Sequence, residues 1–121
     1  MILRKYKPHE IRFYGQRLPD HSARVWYADM FEWEWTSRKL SLCLGDGINH
    51  SPTGFEWGYY GSGPAQLAYA ILRYYTGSMK FAREHYMEFK RDIIAKIPMD
   101  ETYWELSGQE IQDWIDSIEE K

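Results

Sequence analysis

The residues with the clearest potential for chemistry lie in one glycine- and aromatic-rich segment, His50–Leu72. It contains four glycines, two prolines and five aromatic residues within 23 positions. Gly61-Ser62-Gly63 precedes a predicted helix, and the free N–H groups at a helix N-terminus favour an anion. Glycine also lets a phosphate approach the backbone closely. Trp57 and Tyr59 can stack on a base or a sugar ring.

We therefore expect a binding module for an anionic, nucleotide-like ligand. The candidate ligand-binding residues are His50, Ser51, Trp57, Tyr59, Gly61, Ser62, Gly63 and Gln66. The glycine spacing matches neither a phosphate-binding loop ending in Gly-Lys-Ser/Thr nor a dinucleotide fingerprint. The alternative is a tight loop in which Gly63 caps the helix, Pro64 occupies its first position and Gln66 reaches back to the cap.

A second hypothesis is a small enzyme that uses the same pocket on a phosphate-containing substrate. Glu56 lies between two aromatic residues, and an apolar setting raises a carboxyl pKa towards the range useful for proton transfer. His50 is the other acid/base candidate. An ion pair between Glu56 and Arg38 or Arg73 is the structural alternative.

No motif in the sequence indicates a metal or a cofactor. The four histidines lack metal-ligand spacing, and Cys43 is the only cysteine, so no disulfide can form within the chain. The N-terminus lacks the apolar region of a signal peptide, and no apolar run approaches the ~18 residues of a membrane helix. We expect a cytoplasmic protein that does not enter a membrane.

The charge distribution argues against duplex nucleic acid as a partner. The net charge is −3, with a basic excess in residues 1–40 and an acidic excess in residues 97–121. Duplex binding normally requires a concentrated basic face, which neither region supplies. A third hypothesis follows from the aromatic loop and the acidic C-terminal segment. They would form the interface of a homo-oligomer or of a non-catalytic protein-interaction module.

Residue periodicity predicts the elements that position this segment. Alternating apolar and polar residues indicate short strands over residues 11–14, 23–27, 31–35 and 40–44. Helical spacing indicates three helices. The first begins at Gly63, the second runs from Ser78 to Ile97 and the third follows a capping box over residues 107–110. Residues 103–106 are extended or irregular.

These elements predict one α+β domain over residues 1–121. A β-rich part, residues 1–47, forms a short N-terminal antiparallel sheet. The glycine- and aromatic-rich loop, residues 48–63, follows it. A helical part, residues 64–121, packs three C-terminal helices on one face of the sheet.

The motif HSPTGFxWGYxGSGPAQLA, at residues 50–68, resembles an uncharacterised small domain family of bacteria, archaea and their viruses. Trp104-x-Leu106 and Trp114 fit the same pattern, and the resemblance covers roughly residues 40–118. Tyr60 stands where the family often has glycine. The resemblance implies an α+β fold and a cytoplasmic setting but no activity. In a viral setting, a nucleotide-binding module would sequester a signal used in host defence.

Overall fold

Four antiparallel strands form one sheet, in the spatial order β3-β2-β1-β4. The computed structural model describes residues 6–31 and 34–119. The strands are β1 (Ile11–Arg17), β2 (Ala23–Phe31), β3 (Glu34–Lys39) and β4 (Tyr103–Ser107). β1 pairs with both β2 and β4 and therefore lies inside the sheet.

Strand alternation gives the sheet two different faces. Phe13 lies opposite Tyr27 on β2 and Leu106 on β4, and all three are buried beneath the helices. The next residue, Tyr14, lies opposite Trp26 and points to the other side. We call the helix-covered side the inner face and the other side the outer face.

Three helices pack on the inner face. They are α1 (Ser62–Thr76), α2 (Met79–Asp92) and α3 (Gly108–Glu119). Single turns of 3-10 helix span Pro8–Glu10, Leu44–Asp46 and Ile94–Lys96. The core combines residues from the sheet, the glycine-rich loop and all three helices. Its fully buried members include Phe13, Trp57, Leu67, Tyr69, Ile71, Tyr75, Phe89 and Ile111.

Local capping signals mark the helix ends. Gly77 adopts a left-handed conformation (φ 70°) and ends α1. The Ser78 side chain accepts a hydrogen bond from Phe81 N at 3.1 Å and starts α2. Ser107 Oγ accepts from Glu110 N at 3.1 Å, as the predicted capping box requires. The α+β class and the three helices on one sheet face are confirmed.

Four predicted segments differ from the structure. Residues 40–44 do not form a strand, because the backbone turns at Cys43 (φ 59°) into the 3-10 turn that begins at Leu44. The predicted strand over 31–35 is divided between the end of β2 and the start of β3, and positions 32 and 33 lie outside the described residues. Residues 103–106 belong to β4, so the helical part also contributes a strand. α2 ends at Asp92 rather than at Ile97.

Candidate functional site

The segment from His50 to Gln66 divides into a buried anchor and a pocket wall. Gln66, on α1, is fully buried, and its oxygen accepts hydrogen bonds from His50 N at 2.8 Å and Ser51 N at 3.3 Å. Its nitrogen donates to Leu42 O at 2.6 Å and Ile48 O at 3.0 Å. Gln66 therefore holds Leu42 and the start of the glycine-rich loop against α1, and its amide hydrogen-bonds to backbone groups of the protein itself.

The structure also corrects the predicted start of the first helix. The N-cap of α1 is Gly61 rather than Gly63, and Gln66 does not reach back to it. Gly63 is buried inside the first turn, where an added methyl group would lie 2.6 Å from Cβ of Glu56. Close packing against Glu56 explains this glycine. Ser62, the first residue of α1, is exposed.

An open pocket of about 760 Å³ lies beside the other half of the segment. The end of β1, the following turn, the glycine-rich loop and the segment before β4 supply its wall. The lining residues are Arg17, His21, Glu56, Tyr59, Met99 and Asp100. We call it the ion-pair pocket, because Arg17 and Glu56 form a bidentate pair with N–O distances of 2.8 and 3.2 Å.

The ion pair is held in place from two further sides. Arg17 Nη1 also donates to His21 O at 3.1 Å, and the guanidinium lies 4.5 Å from the centroid of the Trp57 ring. The hydrogen bond to Glu56 raises the pKa of Arg17 above its usual value. Two parallel hydrogen bonds fix both planar groups, so the pocket wall presents them in one orientation.

Glycines in the loop allow the close contacts that shape the pocket. Gly58 has a φ of 88°, and an added methyl group there would lie 2.5 Å from Met99 Cα. A methyl group at Gly61 would lie 2.2 Å from the Tyr59 ring, so this ring lies directly over the glycine. The loop thus packs against the segment before β4 and directs Tyr59 into the pocket lining.

Trp57 is fully buried and cannot stack on a ligand as predicted. Arg17 covers one face of its ring, and Trp104 meets it edge-on with a centroid distance of 5.6 Å. The left-handed turn at Gly58 lies between Trp57 and Tyr59, so that Trp57 points into the core and Tyr59 points towards solvent. Of the predicted stacking pair, only Tyr59 lines the pocket.

The predicted polar contacts His50 and Ser51 are not among the residues that line the ion-pair pocket. His50 Nε2 lies 2.7 Å from the Tyr86 hydroxyl on α2, and Ser51 Oγ donates to Gly54 O at 2.7 Å. His50 and Glu56, the two acid/base candidates, therefore have separate partners. The ion pair of Glu56 forms with Arg17 rather than with Arg38 or Arg73.

Sequence reasoning missed Arg17, His21, Met99 and Asp100 as lining residues. Only Arg17 carried a usable signal. It continues the inward series of Phe13 and Gly15 on β1, and an arginine at such a position requires a partner.

Arg73, an alternative partner for Glu56, belongs to a second polar cluster. Asp46 Oδ2 accepts hydrogen bonds from Tyr69 Oη at 2.6 Å and Arg73 Nε at 2.8 Å, and the Asp46 carbonyl accepts from Arg83. The Tyr69 hydrogen bond, with the Arg73 bond and charge, holds the pKa of Asp46 below its usual value. This cluster fastens the turn after residue 43 to α1 and α2.

The fold and the pocket define a small α+β domain with a candidate ligand site next to its glycine-rich loop. The chain belongs to a family of unknown function, DUF6166, whose model matches residues 14–117. No curated protein and no solved structure shows significant similarity to it.

Across residues 6–31 and 34–119, no helix has the length and apolar character needed to cross a membrane. The same residues contain no cluster of three or more His, Cys, Asp or Glu side chains suited to a metal ion.

Proposed function

We propose that this protein is a small-molecule binding module whose ligand occupies the ion-pair pocket. The observation that carries the proposal is an open cavity of about 760 Å³ with a rigid, bidentate ion pair in its wall. Cavities of roughly 300–1,000 Å³ with a few fixed polar groups are typical of small-molecule sites. An open cavity of this kind does not contribute to the stability of a domain, so its presence supports a binding role.

The lining indicates a planar ligand with hydrogen-bond donors, such as a nucleoside. Tyr59 offers an exposed ring for stacking. The Glu56 carboxylate is partly exposed, and it can accept hydrogen bonds from ring N–H or amino groups while Arg17 fixes its orientation. Met99 adds apolar surface at the edge of the same pocket.

The charge of the pocket limits how anionic the ligand can be. Glu56 and Asp100 place two carboxylates in the lining, and the Arg17 charge is already paired with Glu56. A phosphate would lie near the exposed Ser62, the first residue of α1, rather than against these carboxylates. We therefore expect nucleosides and monophosphates to bind more tightly than triphosphates.

A ligand panel measured by thermal shift and calorimetry tests the proposal. The panel contains nucleosides, their mono- and triphosphates, and cyclic dinucleotides, because sequestering a signalling nucleotide is the cellular role to which this proposal extends. A ligand at about 100 times its Kd stabilises the folded state by about 2.7 kcal/mol, a shift of several degrees in Tm. No shift with any member of the panel would contradict the proposal.

Two variants and a matched control locate the site. Tyr59→Ala removes the stacking ring and Glu56→Gln removes the carboxylate, and each is expected to weaken binding about tenfold or more. Tyr60→Ala removes the adjacent exposed aromatic side chain, which is absent from the pocket lining, and is expected to bind normally. Equal losses of affinity in Tyr59→Ala and Tyr60→Ala would mean that the ligand binds outside the ion-pair pocket. The ligand is expected to be recovered unchanged, and a product that Glu56→Gln fails to form would favour an enzyme.

A further inference from the structure

The outer face of the sheet is an exposed aromatic platform. Tyr14 and Trp26 are neighbours across β1 and β2 and are half-buried. Trp35 on β3 is 43% exposed and Tyr103 on β4 is 50% exposed. The three described helices all pack on the opposite face, which leaves these rings open to solvent.

Cationic side chains are interleaved with the rings. The Arg12 guanidinium lies 4.8 Å from the centroid of the Trp35 ring, and Lys39 Nζ lies 5.8 Å from that of Trp26. Arg24 is exposed on the same face. Glu105, paired with Arg12 at 3.4 Å, is the one carboxylate among the outward-facing positions of the described strands. The outer face is therefore positive although the chain as a whole is acidic.

Apart from Glu105, the acidic residues of the described C-terminal segment lie away from this platform. They lie mostly on α3, including Glu110, Asp113 and Asp116. α3 buries Ile111 and Trp114 in the core on the inner side of the sheet. The negative charge that argues against duplex binding is thus displaced from the outer face.

We propose that the outer face binds single-stranded nucleic acid. Rings on neighbouring strands stack on unpaired bases, as flat aromatic platforms on antiparallel sheets do, and the interleaved cations neutralise the phosphates. Charge complementarity distinguishes this partner from a second copy of the chain, because a self-interface would bring the Arg12, Arg24 and Lys39 side chains of two copies together.

A small cavity lies at the end of the sheet beside two of these cationic residues. Its volume is about 130 Å³, and Arg24 and Lys39 contribute to its lining together with Thr53 and Phe55. It lies where β2 and β3 meet the start of the glycine-rich loop. A strand of nucleic acid that crosses the sheet from Tyr103 would reach this basic edge with its phosphates.

Fluorescence anisotropy with labelled oligonucleotides tests the proposal on the full chain. The probes are mixed-sequence single-stranded DNA and RNA of about 12 nucleotides, and the duplex of the same DNA. We expect at least one single strand to bind and the duplex to bind more weakly. Absence of single-strand binding at low salt, or tighter duplex binding, would overturn the proposal.

Variants on the outer face separate stacking from charge. Trp35→Ala and Tyr103→Ala are each expected to weaken binding about tenfold, the effect of losing one stacked base. Lys39→Ala removes one phosphate contact, so the slope of log K against log salt is expected to become less negative by about 0.7. Glu105→Gln should strengthen binding, because it removes a negative charge from the platform.

Further variants and measurements control for non-specific effects. Tyr60→Ala removes an exposed ring outside the outer face and should leave binding unchanged, and equal weakening there would overturn the proposal. Circular dichroism confirms that each variant is folded, and Trp35→Phe, which retains a stacking ring, should recover most of the affinity. Light scattering is expected to show a monomer. A dimer that Trp35→Ala dissociates would identify the outer face as a contact between copies instead.

Discussion

The two faces of the sheet are built from similar side chains placed in opposite environments. On the inner face Phe13 and Tyr27 are buried beneath the helices, whereas on the outer face Trp35 and Tyr103 remain open and Arg12 lies over a ring. Strand alternation alone sends neighbouring aromatic residues to the two sides. The high aromatic content therefore fills the core on the inner face and leaves exposed aromatic rings on the outer face.

Removing one ring from each face should give the largest contrast. Phe13→Ala deletes a fully buried ring and is expected to lower the free energy of unfolding by about 3–5 kcal/mol. Tyr103→Ala, on the outer face, should cost less than about 1 kcal/mol. Urea denaturation of both variants provides the measurement. Similar losses would show that the outer ring is also part of the stabilising core.

The amide side chains offer a second comparison between the two sides. Gln66→Ala removes a fully buried amide together with its hydrogen bonds to four backbone groups, and is expected to cost about 3 kcal/mol. Gln16→Ala, on the outer face of β1, is expected to change stability by about 0.5 kcal/mol or less. Hydrogen exchange should also show faster exchange of the His50 amide in Gln66→Ala. Unchanged exchange there would contradict the anchoring role of Gln66.

Close packing on the inner face predicts a smaller effect at Gly15. A methyl group there would lie 2.2 Å from Nε1 of Trp104, so Gly15→Ala must displace a buried indole and should cost about 2 kcal/mol. Gly45→Ala has no atom within 4 Å of the added methyl group and should leave stability unchanged or slightly increased. Thermal unfolding compares the two variants, and equal Tm values would contradict the close contact.

Features decided by neighbouring residues could be predicted from the sequence. Gly77, Ser78 and the capping box at 107–110 act through hydrogen bonds within a few positions, and the structure has all three. β4 was harder to predict, because it pairs with β1, a strand about ninety positions earlier in the chain. Local periodicity does not indicate which strand will be the partner. The sequence therefore indicated only that residues 103–106 are extended or irregular, and their place in the sheet could not be predicted.

The candidate site was predictable only where it is contiguous. Glu56 and Tyr59 lie in the segment whose glycines and aromatic residues indicated a ligand loop. Arg17 and Asp100 reach the same pocket from β1 and from the segment before β4, so only the tertiary fold brings them together. The left-handed turn at Gly58, which buries Trp57, also depends on close packing against distant backbone.

The pH dependence of the unfolding free energy should give the smallest difference, between variants of the partly buried Asp46 and of Glu105 on the outer face. The hydrogen bond from Tyr69, with the Arg73 interactions, lowers the pKa of Asp46 in the folded state, so its stabilisation is complete above the unfolded-state value of about 3.9. That contribution is lost as the pH falls through the folded-state pKa. Asp46→Asn is therefore expected to cost about 1 kcal/mol at about pH 6 and progressively less below about pH 4.

Glu105→Gln provides the matched comparison on the outer face. The Glu105 carboxylate is 43% exposed and its ion pair with Arg12 spans 3.4 Å, whereas the Asp46 side chain is 16% exposed and accepts two shorter hydrogen bonds. Exposed pairs contribute about 0–1 kcal/mol, so Glu105→Gln should follow the unmodified protein closely across the same pH range. Unfolding free energies from urea titrations at each pH measure both variants. If the decrease in unfolding free energy caused by Asp46→Asn stays constant down to acid pH, the charge of Asp46 does not stabilise the fold.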